Sequence, residues 1–192
     1  MKISSLFALL PQPLSGPTIL FCALVLGAAR PAQAQREVRH LNAVSAQFGG
    51  TSRGIYYQAS YARYVSDKTR FEVAAALEQG PRDNAPDEAS FPRYRGYELG
   101  IGVAPRLFHV GEAFYVRLPV QVRTRYERLP PTGPADKDGF TVGPSLGFSA
   151  DLYLGDLISI CGEFRQNWYP VGSPVNKLPR YFGGGLSLHL GK

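Results

Sequence analysis

From Phe114 to Thr124 the chain alternates strictly between apolar and polar positions. Phe114, Val116, Leu118, Val120 and Val122 share one parity, and Tyr115, Arg117, Pro119, Gln121, Arg123 and, just beyond, Arg125 share the other. A period of two places successive side chains on opposite sides of a strand, so this segment predicts a strand with one apolar face and one charged face. The same alternation recurs along the chain and predicts an up-and-down antiparallel β-barrel of about eight strands, all-β and of outer-membrane type.

The first strand runs from about His40 to Phe48 and stops at Gly49-Gly50. The second, Gly54 to Tyr64, carries Ile55, Tyr57, Ala59 and Tyr61 on one face and turns at Ser66-Asp67-Lys68. The third, Thr69 to Glu78, sets Phe71, Val73, Ala75 and Leu77 against Arg70, Glu72, Ala74, Ala76 and Glu78. The fourth, Tyr94 to Val103, alternates Tyr97, Leu99, Ile101 and Val103 with Glu98, Gly100 and Gly102, and leads through a turn near 104–112 into the fifth strand described above. In the sixth, Phe140, Val142, Leu146, Phe148, Ala150 and Leu152 oppose Thr141, Gly143, Ser145, Gly147, Ser149 and Asp151. In the seventh, Ile158, Ile160, Phe164 and Trp168 oppose Ser159, Cys161, Glu163, Arg165 and Asn167. In the eighth, Phe182, Leu186, Leu188 and Leu190 oppose Tyr181, Gly183, Gly185, Ser187 and His189. The connections at 80–93, 129–138 and 170–179 are long and rich in Pro, Gly and charge, whereas those at 66–68, 104–112 and 153–156 are shorter. Long loops on alternate connections predict an external rim, with both chain ends at the periplasmic one.

The N-terminus decides how the alternation is read. Lys2, the apolar run Ile19 to Ala29 and the Ala32-x-Ala34 site form the pattern of a secretory signal peptide over 1–34, which leaves one barrel domain over 35–192. The apolar run is shorter than the roughly 20 residues of a spanning helix. Phe21 before Cys22 is too large for a lipoprotein cleavage site. The formal charge of +6 falls to +4 once Lys2 and Arg30 leave with the leader, and no Lys/Arg run remains, so direct nucleic-acid binding is not expected. Cys22 leaves as well, and Cys161 then has no cysteine to pair with. The expected location is the outer membrane of a Gram-negative bacterium, with outer-membrane lipid and other envelope proteins as partners.

An outer-membrane barrel turns its apolar face to lipid. The charged face then lies in an interior just wide enough for side chains to fill, and its charges must pair there. Glu72, Glu98, Arg117, Arg123, Arg125, Glu163 and Arg165 are the expected interior network, with Glu98 beside the arginines of the fifth strand and Glu163 with Arg165. Tyr57, Tyr97, Phe114, Tyr126, Phe140, Trp168 and Phe182, near strand ends, are the expected aromatic girdle. A secreted lipocalin-like barrel binding a small apolar ligand would reverse the two faces and is the alternative.

Four segments carry a family resemblance: Ala32 to Arg36 at the end of the leader, His40-Leu41-Asn42-Ala43 in the first strand, Tyr153-Leu154-Gly155-Asp156 before the seventh, and Tyr181 to Leu188 with its glycine triplet. In these and in its layout the chain resembles the small outer-membrane proteins of the Bacteroidetes and, more narrowly, the TraO family of conjugative-transposon proteins. The resemblance implies a non-enzymatic outer-membrane component of a DNA-transfer apparatus.

No catalytic, metal or cofactor site is expected. His40, His109 and His189 are not at metal-ligand spacing, and no cysteine accompanies them in a zinc pattern. Small barrels that modify lipids use a Ser/His pair oriented by a carboxylate. Ser187 and His189, on one strand face with Glu163 on the next strand, are the arrangement that such an enzyme would use, although His189 fits better as an interior filler. Gly183-Gly184-Gly185 precedes an alternating strand, not the helix that a phosphate loop requires. Arg123 and Arg125 belong to the interior parity, which leaves only the end of that strand, at Tyr126 and Arg128, for any nucleic-acid contact.

Overall fold

The computed structural model describes residues 41–52, 54–80, 94–128, 138–170 and 177–191. Residues 1–40, which include the expected leader and His40, and most of the three long connections lie outside the described residues.

Nine strand segments follow one another: β1 (Asn42–Thr51), β2 (Ile55–Ser66), β3 (Thr69–Gly80), β4 (Tyr94–Val110), β5 (Phe114–Arg117), β6 (Val120–Arg128), β7 (Gly139–Tyr153), β8 (Ile158–Asn167) and β9 (Arg180–Leu190). β5 and β6 both lie between β4 and β7 and form one barrel strand interrupted at Leu118-Pro119, which makes eight. Every neighbouring pair is antiparallel, and β1 pairs with both β2 and β9, so the sheet closes without a free edge. Closure matters in lipid, where an unpaired edge would leave N–H and C=O groups with no water to satisfy them.

The break in the fifth barrel strand has a local cause. Pro119 has no N–H to donate, and β4 is irregular between Arg106 and Phe108 at the same level. The ladder passes through this bulge, because Leu118 N–H donates to the Pro105 carbonyl (3.0 Å) and Gly147 N–H to that of Pro119 (3.1 Å). The sequence predicts a strand ending at Val103 and a connection near 104–112 with its turn near Gly111 and Glu112. In the structure Pro105 stays in register opposite Leu118, β4 continues past an irregularity between Arg106 and Phe108 to Val110, and the turn is only Gly111–Ala113.

Register fixes the barrel's dimensions. Stepping from Asn42 to Arg63, Phe71, Val103, Val120, Leu146, Gln166 and Arg180 leads back to β1 at Ser52, ten residues beyond the start. With about 3.3 Å per residue and about 4.8 Å between strands, eight strands with that stagger lean about 41° and enclose a backbone cylinder of about 8 Å radius. Phe114 to Tyr126 then rises about 30 Å along the axis, the thickness of a bilayer's hydrocarbon core.

The outward wall is apolar: Leu99, Val122, Phe140, Phe148 and Leu186 are each more than half exposed. The inward wall is polar, and among the largest fully buried side chains are Arg117, Arg123, Arg125 and Arg165. This inversion of a soluble protein is the pattern of a membrane-spanning barrel, and a ligand-binding lipocalin requires the opposite.

Candidate functional site: the filled lumen

Two charge clusters occupy the interior. The one nearer the rim of the long connections centres on Glu98, 2% exposed, on β4. Its carboxylate receives Arg125 Nη1 (3.4 Å) and Arg123 Nη1 (3.5 Å) from the adjacent β6, and Arg165 Nη2 (3.4 Å) from β8 across the lumen. Asn167 Nδ2 donates to it as well (3.3 Å), and so does the Tyr181 hydroxyl. Arg125 also reaches Glu78 (2.9 Å) and Glu127 (2.8 Å), while Arg165 pairs with Glu163 (3.2 Å) and lies 4.1 Å from the Tyr181 ring centroid. Gln58 bridges the lumen by donating to Glu163 (2.9 Å) and accepting from Arg123 and Arg165. Arginine suits this role because its planar fork serves several acceptors and stacks on tyrosine faces.

Glycine on β4 makes the space. Gly100 lies directly opposite Arg123, and a Cβ there would stand 3.0 Å from the Arg123 side chain. The Gly-x-Glu-x-Gly parity of β4 (Gly96, Glu98, Gly100) thus seats one carboxylate between hollows that the bulky arginines of β6 fill.

The second cluster is nearer the rim of the short turns. Arg70 Nη1 meets Asp151 (2.8 Å), its Nε meets Glu72 (2.5 Å), and Arg117 stands 3.7 Å from Asp151 between the rings of Tyr64 and Tyr115. Gln121 ties this cluster to the first by donating to Glu72 (2.8 Å) and accepting from Arg123 Nε (2.9 Å). Between the clusters, where Ala43, Ser45, Ser60 and Ala74 project inward, lies a polar cavity of about 20 Å³. That volume suits a single water and is far smaller than the few hundred Å³ of a small-molecule pocket.

All seven residues assigned to the interior by parity are buried in the structure, Glu72, Arg117 and Glu163 among them. Arg70, Glu78, Glu127 and Asp151 join the clusters; they lie on the same parity but were not among the seven. Tyr181, Asn167 and Gln58 join across the lumen, a relation that the stagger sets and local sequence does not signal. Of the seven aromatics assigned to a girdle, Tyr57, Tyr97, Tyr126, Phe140, Trp168 and Phe182 face outward near the ends at the long connections. Phe114 is half-buried and follows the Gly111–Ala113 turn, so it belongs to the opposite rim and the seven do not form one ring. The cause is strand direction: Phe114 opens its strand where Tyr126 closes the same one.

The Ser187, His189 and Glu163 set does not assemble. His189 Nε2 bonds Ser159 Oγ (2.8 Å) and its ring stacks on Tyr153 (4.6 Å), whereas Ser187 and Glu163 line the cavity. Ser159 and His189 are fully buried. His109 sits on the exposed end of β4 against Tyr115 (5.7 Å). Among the described residues no group of three or more His, Cys, Asp or Glu is arranged to hold a metal ion.

No family model and no curated protein matches the chain. Several solved structures do match. Neisserial surface protein A has 13% identity and a TM-score of 0.58, covering 78% of this chain and 95% of that one. A major outer membrane protein from Thermus thermophilus has 12% identity and a TM-score of 0.61, covering 78% and 99%. The attachment invasion locus protein Ail of Yersinia pestis, solved with the heparin analogue sucrose octasulfate, has 8% identity and a TM-score of 0.52, covering 79% and 97%. At these identities the likeness concerns the fold, and the fold is that of a small eight-stranded outer-membrane β-barrel.

Proposed function

We propose that this protein is a non-enzymatic, non-conducting barrel of the Gram-negative outer membrane that serves as a structural or accessory component of an envelope machine. The observation that carries the reading is the filled lumen: Arg123, Arg125 and Arg165 converge on Glu98, and the cavity beside this cluster is about 20 Å³. A barrel plugged by its own side chains passes no solute, and its buried Ser–His pair serves no substrate. What remains available to partners is the rim of long connections and the outer wall. The machine is a conjugative DNA-transfer apparatus in this reading; its support is the sequence resemblance to the TraO family.

The test begins with expression in a diderm host, separation of inner and outer membranes, and electrophoresis of the outer fraction with and without boiling. An outer-membrane band whose mobility changes on boiling supports the barrel, and a soluble periplasmic product refutes it. The purified barrel in planar bilayers should show no steady conductance; discrete open channels would refute the plug. In a conjugating donor, deletion of the gene should reduce transfer frequency and the intact gene should restore it. Undiminished transfer would remove the conjugation role and leave the barrel standing.

A further inference from the structure

On the rim of long connections the outward wall carries exposed arginines, Arg180 on β9 and one cross-strand pair. Arg95 on β4 and Arg128 on β6 are directly opposed cross-strand partners, and both are exposed. They lie one outward step beyond Tyr97 and Tyr126, which are also opposed and stack at 6.4 Å between centroids. One outward step is two residues, or about 6.7 Å of strand. Interfacial tyrosines mark the boundary of the hydrocarbon, so the two guanidiniums stand at headgroup depth.

Directly opposed like charges have Cβ atoms about 5 Å apart and destabilise a sheet unless an anion lies between them. Among the described residues no carboxylate stands between the two; Asp138, beyond Arg128 in the same row, accepts the Tyr126 hydroxyl (2.5 Å). On the other side Arg95 is opposed by Gln79, an uncharged donor. Two guanidinium forks and an amide, facing sideways into the membrane boundary, match the oxygens of a phosphate monoester.

We infer that Arg95 and Arg128, with Gln79, form a binding site for the phosphate of an outer-leaflet glycolipid headgroup of the lipid A type. The inference rests on the outer-membrane reading proposed above. The side-facing position selects a lipid, because a soluble polyanion would approach from the loops and not along the wall.

The test uses the full mature barrel refolded in phosphatidylcholine vesicles, extracted with bound lipid and weighed by native mass spectrometry. Bis-phosphorylated lipid A, its dephosphorylated counterpart and inorganic phosphate are the probes. The comparison is among the parent, the Arg95→Gln/Arg128→Gln double variant, and Arg180→Gln, an outward arginine of the same rim on β9. The expected result is retention of bis-phosphorylated lipid by the parent and by Arg180→Gln, about tenfold weaker retention by the double variant, and no displacement by millimolar phosphate. Equal retention by the double variant, equal retention of the dephosphorylated lipid, or displacement by free phosphate would each overturn the site. A boiling-dependent mobility shift is scored on the same samples: a barrel that folds and shows no lipid preference overturns the site alone, and a chain that never inserts overturns both readings.

Discussion

Replacing Glu98 by Gln changes no volume and removes one charge from a point where three guanidiniums meet at 3.4 to 3.5 Å. At an effective dielectric constant of about 20, each contact is worth about 4 to 5 kcal/mol of gross attraction, most of it offset by the cost of taking both ions out of water. What the variant reads is the asymmetry of removing one partner: Arg123 and Arg165, both held at the same carboxylate oxygen, are left facing each other. Breaking a buried pair in this way typically costs about 3 to 5 kcal/mol. With a urea slope of about 2 kcal/mol/M, the unfolding midpoint should fall by roughly 1.5 to 2.5 M at unchanged slope. The assay is a urea titration of the barrel in vesicles, run in both directions. It is followed by the boiling-dependent gel shift and by the emission of Trp168, the single tryptophan of the chain, which faces outward. Glu163→Gln should cost less, because Arg165 keeps Glu98. A Glu98→Gln midpoint within about 0.3 M of the parent would refute the reasoning, since it would mean that the arginines are neutralised by something other than this carboxylate.

Arg123→Leu should destabilise by about 3 to 5 kcal/mol in the same titration, and Arg117→Leu by less, because Asp151 retains Arg70 at 2.8 Å; equal midpoints for the two variants would count against that ranking. Ile101→Arg, on the outward wall midway along β4, should cost about 2 to 4 kcal/mol, and Leu154→Arg in a rim turn about 0 to 1 kcal/mol; equal small costs would place the wall in water and not in lipid. A Cβ on Gly185 would fall 1.9 Å from the Ala46 carbonyl oxygen of β1, so Gly185→Ala should lose more than about 2 kcal/mol or fail to give the gel shift. Gly155→Ala, whose Cβ meets nothing within 4 Å, should be silent within about 0.5 kcal/mol. Cys161 is buried against the lumen cavity, so a maleimide should label it only after urea unfolding; prompt labelling of the folded barrel would show an interior open to solvent.

Much of the fold was legible because parity is a local signal. Tyr115, Arg117, Gln121, Arg123 and Arg125 share one face in the sequence and are buried on one face in the structure. Parity alone leaves the choice of inside and outside open; the apolar leader and the long alternate loops suggested the choice, and the exposed aliphatic wall agrees with it. What parity could not supply is the stagger. Glu98 and Arg165 are 67 residues apart, Gln58 and Arg165 are 107 apart, and both pairs meet because the barrel closes with an offset of ten residues. The fourth strand runs on past Val103 to Val110, because the Pro105 carbonyl still accepts from Leu118 N–H and keeps the ladder going. An aromatic near a strand end does not say which end, so the sequence left open that Phe114 and Tyr126 lie at opposite rims.

The same geometry limits where function can reside. A cylinder of about 8 Å radius leaves room for about one layer of long side chains on each wall, and here opposite walls meet in the middle. β4 contributes small residues and carboxylates (Gly96, Glu98, Gly100, Gly102) where β6 contributes Gln121, Arg123 and Arg125, so the two adjacent strands are complementary in volume as well as charge. Enlarging the lumen would separate several buried pairs at once, and each charge left buried without its partner costs about 3 to 5 kcal/mol, which exceeds the few kcal/mol that separate states in an ordinary gate. The interior is therefore the stabilising core of this protein, as an apolar core is in a soluble one, and the surfaces left to act on other molecules are the rims and the outer wall. On that wall the opposed Arg95 and Arg128 are the feature that neither stability nor membrane insertion explains, since a pair of like charges weakens a sheet and contributes nothing to burial in lipid.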